Sequence, residues 1–143
     1  MNNIKDAFKK AGYVMQDQEQ GADYIDKAES VILDLKKNNK DFKDFTTTKI
    51  RNILAQVSEI YNDVLNDPAE KLSAEIQERV EYLKVRLVYE CGREPRVVRP
   101  FVEKAGLLDL ISNIGDSRQK FIDFSRYMEA LVAYHLFHGG KDK

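Results

Sequence analysis

Ile50, Ile53, Leu54, Val57, Ile60, Tyr61 and Val64 recur at spacings of three and four along one uninterrupted stretch. Helical rotation of about 100° per residue gathers them into one broad apolar stripe, which has to be buried. The same period runs through most of the chain, and sustained strand alternation occurs nowhere, so helix-on-helix packing is the architecture left. With 143 residues the chain is long enough for one domain with a genuine core. We therefore expect an all-α fold, a single bundle of five to six helices.

Punctuation residues set the expected boundaries. Residues 1–22 carry the weakest pattern and read as a loosely attached leader, with a polar joint at 16–21, ahead of a helical-bundle domain over 23–143. A first helix is expected over about Asp23–Lys37, then a charged loop to Asp44. Thr46 and Thr47 are N-cap types for the second helix, which Asp67-Pro68 ends because the residue before proline avoids helical geometry. The third helix is expected from about Ala69 to Cys91, with Gly92 as its stop. Pro100 suits the first turn of a short helix at Arg99–Ala105, Gly106 separates it from Leu107–Ile114, and Asp116 or Ser117 opens a last helix to about Phe137. Phe121, Phe124, Met128, Leu131 and His135 are its inward set.

Composition removes several functions. Charged residues make up 33% of the chain and the formal net charge is −1, so affinity for nucleic acid has to come from a local patch. One cysteine excludes an intramolecular disulfide and fits a reducing cytoplasm. No apolar run approaches the roughly 20 residues that span a bilayer, so no membrane partner is expected. Neither a GxGxxG nor a GxxxxGK[ST] phosphate loop is present. His135 and His138 have a spacing that a metal tolerates, but no third ligand accompanies them, so packing or surface histidines are the better reading. No enzyme, cofactor or metal is expected.

The chemistry that remains is basic and aromatic. Five of the eight Arg (Arg79, Arg86, Arg93, Arg96 and Arg99) fall in one short window, where surface ion pairs with nearby Glu are as good a reading as ligand contacts. Along Tyr82–Glu94, Tyr82, Arg86, Tyr89 and Arg93 share a stripe beside the apolar stripe of Ile76, Val80, Leu83, Leu87 and Cys91. Guanidinium groups beside rings suit phosphates and unstacked bases. The tyrosines read better as half-buried packing groups than as base-stackers. Lys84 projects on the far side of the core stripe from Arg86, and Lys49 and Arg51 lie about 160° apart on their helix. Such divergent cations serve different neighbours. The Tyr127/Ala130/Ala133/Tyr134 surface reads either as a helix-docking face or as core.

Four blocks carry a resemblance: TTTKIRNIL (Thr46–Leu54), YLKVRLVYECGRE (Tyr82–Glu94), FVEKAGLLDLI (Phe101–Ile111) and FSRYMEALVAYHLFHGGKDK (Phe124–Lys143). Together with Tyr24-Ile25-Asp26 and Ala28-Glu29, they closely resemble the small-subunit family of the type III-A CRISPR effector, the Csm complex. The resemblance runs from about Asp23 to the C-terminus, with Cys91 standing where relatives often have a small residue. It implies a non-catalytic helical subunit present in several copies, self-associating into a filament beside the repeated backbone subunits and near the large cyclase/nuclease subunit. Guide RNA and target RNA are the implied ligands. Carried over onto these blocks, Lys49, Arg51, Arg86 and Arg93 are the leading RNA-contacting candidates, with Lys84, Arg118 and Arg126 behind them. A purely structural adaptor whose Arg residues pair with neighbouring subunits is the alternative.

Overall fold

The computed structural model describes residues 18–139, with side chains from Tyr24 onward. Six α-helices occur among them: α1 Gln18–Asn38, α2 Thr47–Asn66, α3 Ala74–Arg93, α4 Val98–Ala105, α5 Leu107–Ser112 and α6 Arg118–Phe137. A 3₁₀ turn, Phe42–Asp44, lies in the loop between α1 and α2. The all-α bundle expected from periodicity is what forms. Most of the leader over residues 1–22 lies outside the described residues.

Helix α6 is the hub. Phe121, Met128 and Leu131 on it are fully buried, and α1 and α2 both pack along its length. The apolar period of α1 supplies Ile25, Ala28, Val31, Ile32 and Leu35 to this core, and α2 supplies Ile50, Ile53, Val57, Ile60 and Val64. Helix α3 packs against α2, α4 and α5 through Ile76, Val80, Leu83 and Leu87, and its opposite face is exposed among the described residues. All five expected inward residues of α6 are buried.

Several boundaries differ from expectation, each for a local reason. Helix α1 already includes Gln18–Gly21, so the polar joint is helical from Gln18; a lack of apolar period does not prevent a helix whose downstream turns are anchored. Helix α3 starts at Ala74 rather than Ala69. Leu72 is buried, its N–H donates to the Asp116 carbonyl (2.8 Å), and the Ser73 hydroxyl accepts from the Ile76 N–H (3.1 Å). That cap opens the helix after an extended segment. At the other end α3 runs through Gly92 to Arg93. The stop is the Glu94-Pro95 step, whose Glu94 carbonyl accepts from Val98 N–H at 3.0 Å and closes the turn into α4. Gly106 performs the stop that Gly92 does not, since its φ of 70° is the left-handed geometry of a helix end.

A buried polar clip joins the start of α2 to the end of α6. His135 is 0% exposed; its Nε2 lies 2.7 Å from the Phe45 carbonyl and its Nδ1 2.8 Å from the Thr47 hydroxyl. A carbonyl only accepts, so Nε2 carries the proton and Nδ1 accepts from Thr47. Thr47 is thus spent on His135, and Thr46 occupies the N-cap position without a side-chain cap bond. Tyr127, from the surface read as either docking face or core, is buried and donates its hydroxyl to the Ala105 carbonyl (2.8 Å), while Ala133 is exposed.

Candidate nucleic-acid interface

Helices α2 and α3 run antiparallel, because residues at the start of α2 line a cavity with residues at the end of α3, and Arg79 near the start of α3 bonds Asp63 near the end of α2. Each contributes one polar stripe at three- and four-residue spacing to the groove between them. From α2 come Lys49, Asn52, Gln56, Glu59 and Asp63; from α3 come Arg93, Glu90, Arg86, Tyr82 and Arg79. One end is a cavity of about 390 Å³ lined by Thr46, Thr48, Lys49, Asn52, Glu90, Arg93 and Glu94. The other, of about 640 Å³, is lined by Gln56, Glu59, Glu78, Arg79, Tyr82 and Arg86.

The cations differ in how they are held. Lys49 Nζ lies 3.3 Å from Glu94 Oε2, and Arg93 Nη1 lies 3.6 Å from Glu90 Oε1. Arg79 pairs with Asp63, Arg96 with Asp41 at 3.3 Å, and Arg99 with Glu103 at 3.0 Å. Arg86, exposed at the middle of the groove, has no ion pair among the described residues. Solvent-facing pairs of this kind are worth roughly 0–1 kcal/mol, so a phosphate displaces them at little cost. Lys49 and Arg93 line one cavity and Arg86 the other, so what the three can meet is successive phosphates of a strand rather than one anion, with Glu94 and Glu90 giving up their pairs.

The structure brings those three onto one groove and disperses the other four candidates. Arg51 is exposed, lines neither cavity and has an intramolecular partner. Lys84 points to the other side of α3, where its Nζ lies 2.7 Å from the Ser112 hydroxyl. Arg118 begins α6, with its Nε buried and unpaired. Arg126 is exposed on α6, away from the groove. Asn52, Gln56 and Arg79, the last named only within the arginine window, line the groove without having been RNA-contacting candidates. The signal was legible for Arg79, since Arg79, Arg86 and Arg93 repeat every seventh residue and must share one helix face.

The tyrosines correct the expectation of half-buried packing. Tyr82 and Tyr89 are each 61% exposed, and Val85 and Val88 beside them are also exposed. The α3 core stripe is filled by Leu83 and Leu87, which leaves Val85, Val88 and Tyr89 on the outer face and Tyr82 at its edge, where it also lines the groove. Cys91 is partly buried against the core, and that burial pushes its thiol pKa up. The two histidines face different partners: His135 is enclosed in its clip, and His138 Nε2 lies 2.8 Å from Glu29. No group of three potential metal ligands occurs among the described residues, and no described helix is long and apolar enough to cross a membrane.

The profile of the family described as Csm2 Type III-A matches residues 18–141. A protein of Streptococcus thermophilus named CRISPR system Cms protein Csm2 is 43% identical over 119 residues, covering 83% of this chain and 93% of that one. A protein of the same name from Mycobacterium tuberculosis is 40% identical over 121 residues, covering 85% and 95% respectively. Another from Enterococcus italicus is 39% identical over 99 residues, covering 68% and 70%.

Proposed function

The chain belongs to the Csm2 type III-A family, and on that premise we propose that it is the non-catalytic small subunit of a type III-A CRISPR interference complex, gripping target RNA along the guide–target duplex. Several copies associate into an inner filament beside the repeated backbone subunits. The observation that supports the RNA-gripping reading is the α2–α3 groove, which Lys49, Arg79, Arg86 and Arg93 line together with Asn52, Gln56 and the carboxylates of Glu59, Glu78, Glu90 and Glu94. Arg86 is the lining cation that has no ion pair among the described residues. The groove's cations, amides and carboxylates form no set of base-reading groups on a protruding helix. Recognition is accordingly sequence-blind: base pairing with the guide supplies sequence, and the protein grips the backbone. A net charge of −1 suits such a subunit, because protein neighbours hold it in place and little intrinsic RNA affinity is required.

The exposed Tyr82, Val85, Val88 and Tyr89 stripe favours a second reading, in which α3 docks on another subunit and the arginines beside it form intermolecular ion pairs. Complexes assembled with Ala at Lys49, Arg86 and Arg93 separate the two. Intact assembly with lost target binding supports the RNA grip; failed assembly supports the adaptor.

A further inference from the structure

The first turn of α2 carries Lys49 into the groove, yet it has no cap of its own. Thr46 holds the N-cap position without a side-chain cap bond, and no acidic residue lies in that turn. The first N–H groups of a helix have no intrahelical partners, so an uncapped turn frays. On α3 and α6 the hydroxyls of Ser73 and Ser117 accept from such N–H groups. On α2 the restraint comes from another helix, α6.

The His135 clip holds alternate residues of this segment. Its ring donates to the Phe45 carbonyl at 2.7 Å and accepts from the Thr47 hydroxyl at 2.8 Å. Phe45 and Thr47 are buried, while Thr46 between them and Thr48 beyond line the cavity of about 390 Å³ together with Lys49 and Arg93. The Lys49 N–H donates to the Thr46 carbonyl at 3.1 Å, so the backbone of Lys49 hangs on the residue that the clip brackets. The other restraint on Lys49 is its pair with Glu94 at 3.3 Å, a partly exposed contact of the kind that a phosphate displaces at little cost. Once RNA has displaced it, the backbone alone holds the ammonium group at the groove.

We infer that His135 and Thr47 are positioning residues of the RNA grip: their buried contact seats the first turn of α2 so that Lys49 enters the groove beside Arg93. Neither residue touches RNA. The inference rests on the reading of the α2–α3 groove as an RNA grip, and it adds that α6 presets one of the gripping cations. A preset cation avoids the ordering cost that a frayed turn would add to binding.

The test is a double-mutant cycle on target-RNA binding by assembled complexes. Thr47→Val keeps the buried shape and removes the hydroxyl, whereas Thr47→Ser keeps the hydroxyl. Lys49→Ala is expected to lower affinity roughly ten-fold, the scale of one charge-assisted contact, and Thr47→Val about three-fold, the scale of one neutral hydrogen bond. Thr47→Ser restores binding, and Thr47→Val adds nothing in the Lys49→Ala background. In the free chain, hydrogen exchange at the Lys49 amide quickens about five-fold with Thr47→Val, the scale of a lost cap, while the α3 amides keep their protection. An equal loss from Thr47→Val with and without Lys49, a loss that Thr47→Ser does not restore, failed assembly of the Thr47→Val complex or unchanged exchange at Lys49 would overturn the inference. So would unchanged binding by Thr47→Val beside a loss from Lys49→Ala, which leaves the grip itself standing. No loss from Lys49→Ala removes Lys49 from the grip, and the inference falls with it.

Discussion

His135→Ala is the substitution that most severely tests the packing described above. The ring is fully buried, 5.0 Å from the Phe45 ring and 5.3 Å from the Phe42 ring, and it satisfies both the Thr47 hydroxyl and the Phe45 carbonyl. Truncating a buried aromatic costs about 3–5 kcal/mol, and imidazole, being small, belongs at the lower end. Each polar partner left unpaired in the interior adds about 1–3 kcal/mol. A total loss near 4 kcal/mol follows even if water reaches one partner, a large share of the roughly 5–15 kcal/mol that holds a domain together. Urea unfolding followed by helical circular dichroism measures it. The clip also requires a neutral ring: burial lowers the His135 pKa, and the Phe45 hydrogen bond pulls it back only in part. The folded value thus lies below the unfolded value of about 6.5, so the contribution is complete above that pH and is lost as pH falls through the folded value. One proton bounds the slope at about 1.4 kcal/mol per pH unit. His135→Gln removes the titration and flattens the curve below about pH 6.5. A loss under about 1 kcal/mol for the Ala variant, or parallel pH curves for wild type and the Gln variant, would refute the clip.

Gly106→Ala forces a side chain into left-handed geometry at φ 70° and should cost about 1 kcal/mol, a Tm drop of roughly 3 °C by calorimetry. Ser73→Ala and Ser117→Ala each remove a side-chain cap on Ile76 or Lys120 and should each cost about 1 kcal/mol in urea unfolding. Thr46→Ala, at a cap position with no side-chain bond, should cost clearly less. Tyr82→Ala with Tyr89→Ala should leave the isolated chain's stability within about 0.5 kcal/mol, since both rings face solvent. A decline in complex assembly, read by native electrophoresis, would mark the outer face of α3 as a subunit contact.

Helix identity and the core were legible because every long helix carries its burial in a three-and-four period, as in Ile50 to Val64 or Phe121 to His135. Ends were harder. Gly92 and Gly106 look alike in sequence, yet only Gly106 adopts positive φ, and α3 is stopped by Glu94-Pro95 instead. The start of α3 depends on Leu72 being drawn against Asp116, a contact 44 positions distant that no local pattern reports. In the groove, Arg86 and Arg93 were findable from one helix, and their meeting with Lys49 depended on the antiparallel pairing of two. Tyr82 and Tyr89 were misjudged because adjacency to an apolar stripe does not say on which side the next helix packs.

Target-RNA binding by complexes assembled with Lys49→Ala, Arg86→Ala and Arg93→Ala together, measured at two salt concentrations, tests the central claim most directly. Each lost phosphate contact removes about 0.7 from the slope of log affinity against log salt for single-stranded RNA, so the triple variant should flatten it by about 2. The account predicts intact complexes, affinity at low salt reduced at least ten-fold, and an equal reduction for unrelated target sequences matched to their guides. Unchanged binding, or a loss confined to one sequence, would contradict it.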